Sequence, residues 1–126
     1  MITKEPKRIP ARIAELKLLK DGWLDGKGKA LGSNSLDWLS ESFDQLYDQK
    51  LPLPRLFPTP EGNIQAEWVF NEWEISLEID LTTKISEYQA VNTASLKEIN
   101  DTYDLNDSNS WSKLCLSLKN IQGVNA

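Results

Sequence analysis

The residues with the most chemistry in this chain are acids placed at every second position. Glu67 lies within Ile64 to Phe70, and Glu78 and Asp80 lie within Trp73 to Leu81. Apolar side chains hold the alternate places: Ile64, Ala66, Trp68 and Phe70, then Trp73, Ile75, Leu77, Ile79 and Leu81. A period of two sends successive side chains to opposite faces of a strand, so the acids gather on the face away from the apolar one. With Asn71-Glu72 as a hairpin turn, Phe70 pairs with Trp73, Gln65 falls opposite Glu78, and Glu67 falls opposite Ser76. With a turn centred on Thr82-Thr83, Glu78 lies opposite Glu87 and Ser76 opposite Gln89. A one-residue slip at the second turn would undo that juxtaposition.

A face carrying Glu67, Glu78, Asp80 and Glu87, with Gln65 beside them, supports more than one chemistry. All-oxygen ligands suit a hard cation such as Mg²⁺, Mn²⁺ or Ca²⁺, and a bound metal could activate water in a divalent-metal-dependent hydrolase. Nuclease-like sites also want a lysine beside the acids; the nearest, Lys84, falls in a turn, and no Glu-x-Lys follows Asp80. An acidic face also steers and orients a basic protein partner. The plain alternative is the solvated side of a half-buried sheet, where directly opposed like charges cost only about 0.2–1 kcal/mol per pair. The leading expectation is a non-catalytic interaction protein, accessory or antitoxin-like. The metal hydrolase and a small-ligand binder with an aromatic-lined pocket between helices and sheet stay open.

Bulk composition narrows the field. The chain has 126 residues, 19 acids and 14 bases, for a net charge of −5. That balance opposes nonspecific binding to a nucleic-acid backbone, which needs a basic surface. Lys4, Lys7, Arg8 and Arg12 read as a solvated end. The complete lack of histidine removes Ser-His-Asp and Cys-His catalysis and the usual zinc and non-haem iron ligand sets. One cysteine, Cys115, permits no internal disulfide. The charged, proline-broken start does not read as a signal peptide, and no apolar run approaches membrane-spanning length. A cytoplasmic location is expected.

The acids need a scaffold, and the remaining pattern describes one. Pro10 suits the first turn of a helix with Ile13, Leu16 and Leu19 on one side, ended by Asp21-Gly22. Ser33 or Asn34 can cap a second helix carrying Leu36, Leu39, Phe43, Leu46 and Tyr47, stopped by Pro52 and Pro54. Four prolines between Leu51 and Pro60 make that stretch an edge strand or a packed connector. A third meander strand runs from Ile85 to Asn92, and a short fourth piece is expected near Thr102 to Leu105. Asp107 or Ser108 can cap a last helix with Trp111, Leu114, Cys115 and Leu118 on one face. The fold class is α+β: an antiparallel meander of three to five strands, its apolar face covered by two N-terminal helices and one C-terminal helix. The chain reads as one domain, 1–126, with flexible ends at 1–8 and 122–126, and as a monomer or a homodimer paired through an exposed last strand.

Two other features invite a site. The segment Asp21 to Lys29 reads DGWLDGKGK, yet it lacks the spacing of a phosphate-binding loop and the acids of an EF-hand. It reads as a structural loop, with Trp23 and Asp25 kept as binding candidates because loops on rigid scaffolds carry function. Cys115 falls on an apolar stripe with no histidine to activate it, which points to an inert thiol.

The segments GWLDGKGKA, LDWL, LPLPRLFPTPEGNIQAEW and WEISLEIDL, spread between Gly22 and Asn92, together resemble a family of small bacterial proteins. The resemblance implies a bacterial, cytosolic origin and no reaction. It places Trp23, Gln65, Glu67, Trp68, Glu78 and Asp80 at motif positions.

Overall fold

The computed structural model describes residues 8–123. The ends expected to be flexible fall mostly outside this range. Three short helices and a five-stranded antiparallel sheet follow one another as α1 (Ile9–Leu16), α2 (Ser33–Leu46), β1 (Arg55–Pro58), β2 (Ile64–Phe70), β3 (Trp73–Ile79), β4 (Ile85–Asn92), β5 (Glu98–Asp104) and α3 (Ser108–Gln122). The strands lie in sequence order, β1-β2-β3-β4-β5, so every connection within the sheet is a local turn. No described helix is long and apolar enough to cross a membrane.

The helices cover one face of the sheet, as amphipathic elements must when each has a single apolar stripe. In α1, Pro10 occupies the first turn, and Ile9, Ile13 and Leu16 are buried. The helix ends at Leu16, earlier than the Asp21-Gly22 stop, and Leu18 is left exposed. In α2, Leu36, Leu39, Ser42 and Phe43 are buried. Its N-cap is Gly32, with no side-chain capping bond, in place of the expected Ser33 or Asn34. Asp107 does cap α3, accepting from the Asn109 N–H, and Gly123 closes it in the left-handed conformation.

The two layers are joined by an aromatic chain. Phe43 stands edge-on to Trp111 at 5.2 Å and tilted against Tyr47 at 5.1 Å, and Tyr47 stacks on Trp68 at 6.5 Å. Every polar tip in this chain has a partner, as burial requires. The Trp111 indole donates to Leu105 O, the Trp68 indole to the Tyr47 hydroxyl, and that hydroxyl to Pro52 O. Tyr88 meets Ser117 of α3 at 2.9 Å. The aromatic rings of this chain thus pack on one another.

The sheet itself follows the alternation. Ile64, Ala66, Trp68 and Phe70 of β2, Ile75, Leu77 and Ile79 of β3, and Ser86, Tyr88 and Ala90 of β4 are buried under the helices. β5 is longer than the fragment expected near Thr102 to Leu105. Of its seven residues only Tyr103 is buried, so the strand carries almost no apolar alternation to read.

Trp111 has no exposed surface and bonds through its indole. Trp111→Ala should lower the unfolding free energy by about 3–5 kcal/mol, measured by urea denaturation at neutral pH. Ser112→Ala, on the exposed side of the same helix, should change it by less than about 0.5 kcal/mol.

Candidate functional site

No described helix lies over the outer face of the sheet. Both expected pairings hold. Phe70 pairs with Trp73 across Asn71-Glu72, putting Gln65 opposite Glu78 and Glu67 opposite Ser76. Glu78 lies opposite Glu87 and Ser76 opposite Gln89. The second turn is longer than expected: Asp80 and Ile85 close it, the Asp80 N–H donates to Ile85 O, and Lys84 takes a positive φ of 65°. A four-residue loop on the same centre preserves the register, because it adds one residue to each side of the turn.

The resulting rows run across all five strands. One row reads Phe57, Gln65, Glu78, Glu87, Thr102, and the next reads Arg55, Glu67, Ser76, Gln89, Asn100. The Gln65 amide donates to Glu67 at 2.6 Å, and the Thr102 hydroxyl donates to Glu87 at 3.0 Å. Gln89 reaches Glu98 at 3.2 Å. Together Gln65, Ser76, Glu78, Glu87, Asn100 and Thr102 line an open groove of about 610 Å³. A second depression, of about 350 Å³, continues past Glu67, Val69, Glu74 and Val91. Val69 is 71% exposed, so the acidic surface also offers an apolar foothold. Among the described residues, neither Glu78 nor Glu87 has a cationic partner.

Asp80 does not join this group, contrary to expectation. Its carboxylate accepts the Thr82 and Thr83 N–H groups at 2.8 and 3.0 Å. Those backbone donors hold its carboxyl below the ordinary 3.8. Asp80 is the internal brace of the β3–β4 turn. Lys84 also leaves the acidic face: its ammonium sits 5.0 Å from the centre of the Trp38 ring, which draws it to the helical layer. The Asn106 amide donates to Thr83 O, tying the same turn to the segment before α3. Among the described residues, no three acidic or cysteine side chains are grouped to hold a metal ion.

Trp23 and Asp25 are apart from the acids. Asp25 and Gly26 form the tip of a two-residue turn with φ of 49° and 87°, closed by paired bonds between Leu24 and Lys27. Positive φ at both central residues is what the Asp-Gly pair supplies. The Trp23 indole donates to Lys29 O, and its ring lies against Gly28, where a Cβ would come within 2.9 Å. The Lys29 N–H donates to Pro60 O, docking this loop on the turn before β2. The loop is a self-bonded structural unit. Cys115 is buried, takes a 3.4 Å bond from the Asp48 N–H, and has its thiol pushed up by burial, which lowers the share of thiolate.

The groove residues Asn100 and Thr102 come from β5, which alternation alone does not reveal. A usable signal was present: no proline or glycine interrupts Glu98 to Asp104, and Ile99 and Tyr103 keep the parity of a strand. No family model, curated protein or solved structure matches the chain.

Two outcomes follow from this geometry. Glu78→Lys replaces a like-charge pair with an opposite one and should raise stability by about 0.2–1 kcal/mol, read by urea denaturation; Glu78→Lys with Glu87→Lys together should lose the gain. Asp80→Asn keeps an acceptor and removes the charge. Because the folded carboxyl titrates below its ordinary value, its charge stabilises the fold above pH 3.8 and ceases to as pH falls through the folded value. Asp80→Asn should therefore melt below the parent at neutral pH, with the two converging in strong acid.

Proposed function

We propose that this protein is a non-catalytic interaction module, an accessory or antitoxin-like factor of a bacterial cytoplasm, that docks a basic polypeptide on the open face of its sheet. The observation that carries the proposal is the pair Glu78 and Glu87, directly opposite one another at the middle of an uncovered polar face. The five strands place Glu67, Glu74, Glu78, Glu87, Glu98 and Asp104 on that face against one base, Arg55. Each unneutralised acid lowers the potential above the groove, and a cationic partner gains from all of them at once. The same partner relieves the repulsion between opposed carboxylates, so part of the binding energy is released strain between charges. Val69 and the half-buried Val91 give such a partner an apolar contact beside the acids.

The test is a comparison of baits from the native host. The parent chain and the charge-neutral variant Glu67→Gln/Glu78→Gln/Glu87→Gln are immobilised side by side, and partners captured by the parent alone are cross-linked to find the contacting segment. Support requires a lysine- or arginine-rich segment. Association with it should fall about tenfold or more in the variant and fall again as salt is raised. Equal capture by both baits, or contact through an acidic or neutral segment, refutes the proposal.

A further inference from the structure

The two edges of the sheet are built differently. At β1, the Thr59 N–H donates to Asn63 O, which sets the odd-numbered residues of that strand toward β2. Pro54, Leu56 and Pro58 therefore turn their backbone groups away from β2. Two of them have no N–H to offer, and the carbonyl of the third accepts the Arg12 guanidinium at 2.9 Å. Proline and a side chain from α1 close this edge against further pairing.

At β5 the parity leads to the opposite result. The Asn92 N–H donates to Lys97 O and the Leu105 N–H to Lys84 O, so the odd-numbered residues of β5 complete the ladder with β4. Glu98, Asn100, Thr102 and Asp104 turn their backbone groups away from the sheet. Some of these are satisfied locally: the Thr102 N–H by the Asp101 carboxylate at 2.8 Å, and Asp104 O by the Asp107 N–H at 3.1 Å. Among the described residues, both backbone groups of Glu98 and of Asn100 and the carbonyl of Thr102 have no protein partner. The strand is seven residues long, free of proline, and exposed everywhere except Tyr103. That is the geometry of strand addition.

Charge selects the occupant. A second copy pairing antiparallel over all seven residues would set Glu98 opposite Asp104 and Asp101 opposite Asp101. Opposed like charges work against that pairing. An extended strand with cations opposite Glu98, Asp101 and Asp104 reverses each of these terms. We infer that the free edge of β5 is a strand-addition site for an extended, basic polypeptide segment. This does not rest on the open face: it uses backbone groups at the rim of the sheet, and β5 is required for it whatever lies over Glu78 and Glu87.

The probe is a seven-residue peptide, Lys-Val-Thr-Lys-Thr-Val-Lys, whose palindromic order sets lysines against the three acids in either direction. Two isomers separate backbone pairing from charge. In antiparallel pairing, the arrangement of every other neighbour in this sheet, N-methylation of both threonines blocks amides aimed at β5, and N-methylation of both valines blocks amides aimed at solvent. By calorimetry, the threonine-methylated isomer should bind about tenfold more weakly than the parent peptide or worse, and the valine-methylated isomer within about threefold of it. Asn100→Pro removes an outward N–H and leaves the β4 ladder intact. It should cause a comparable loss while circular dichroism confirms a folded sheet. Hydrogen exchange at the Glu98 and Asn100 amides should slow when the peptide binds, which gives a readout in the parent chain if the proline variant fails to fold. Equal binding of the two isomers, with perturbation centred on Glu78 and Glu87, overturns the edge site while leaving the face reading standing. No binding of any peptide also overturns it. A dimer of the parent that Asn100→Pro abolishes overturns the choice of a basic strand.

Discussion

The constraint on which the rest depends is the parity of β3, the central strand of the sheet. Its residues alternate between a helical layer that must be dry and an outer face that is wet, so its register with β2 and β4 has only one acceptable parity. Slipping either pairing by one residue would bury carboxylates and expose Ile75, Leu77 and Ile79, which are at most 2% exposed. Fully burying side chains of that size is worth about 1.5–3 kcal/mol each, far more than opposed acids cost on the outside. The buried side therefore dictates the position of Glu78 opposite Glu87, and the outer face accepts the repulsion. The two turns agree with that choice, because each loop has an even number of residues.

This hierarchy explains which parts were legible in the amino-acid order. β2 and β3 could be read because every inward position is apolar and every outward one is polar or exposed. The convergence of Gln65, Glu67, Glu78 and Glu87 could be read with them, since register follows from parity. The β3–β4 turn is two residues longer than the pattern implies, and the register is unchanged. What could not be read was the fate of individual carboxylates. Asp80 has the same parity as Glu78, yet it stands beside two free backbone N–H groups at the turn, and a local bond with little ordering cost outcompetes a place on the face. Lys84 is drawn off by the Trp38 ring, a contact between elements that no local pattern encodes. β5 is faint in the sequence because its partner layer thins out at the sheet margin, leaving only Tyr103 to bury.

The packing of helices on sheet is held by polar tips as well as by apolar bulk. Burial pushes the Tyr47 hydroxyl well above its ordinary range, and the Tyr103 hydroxyl up to about 12 with help from the Asp101 charge. Both stay protonated at any physiological pH and serve as donors. On the surface, Lys119 paired with Asp48 and Lys17 paired with Asp37 link elements distant in sequence, though exposed pairs of this kind add little stability. The open face of the sheet differs, because its acids outnumber its bases. Asp37 and Asp48 are paired with lysines, while Glu78 and Glu87 on the open face have no described cation.

Thr102 shows how the open face and the open edge are one surface. Its hydroxyl points over the face and holds Glu87 at 3.0 Å, while its N–H points along the rim and is held by Asp101 at 2.8 Å. Asp101 itself sits on the helical side of the strand, opposite Tyr88, so its reach to the rim is a local bend of its own side chain. An inward-pointing acid of this sort is a known way to discourage edge pairing, but here it covers one donor and leaves Glu98 and Asn100 open. The charges of Glu98, Asp101 and Asp104 therefore disfavour an acidic strand and a copy of this one. A cationic strand gains most, because it also offers the Asp101 carboxylate a partner in place of the Thr102 amide it covers.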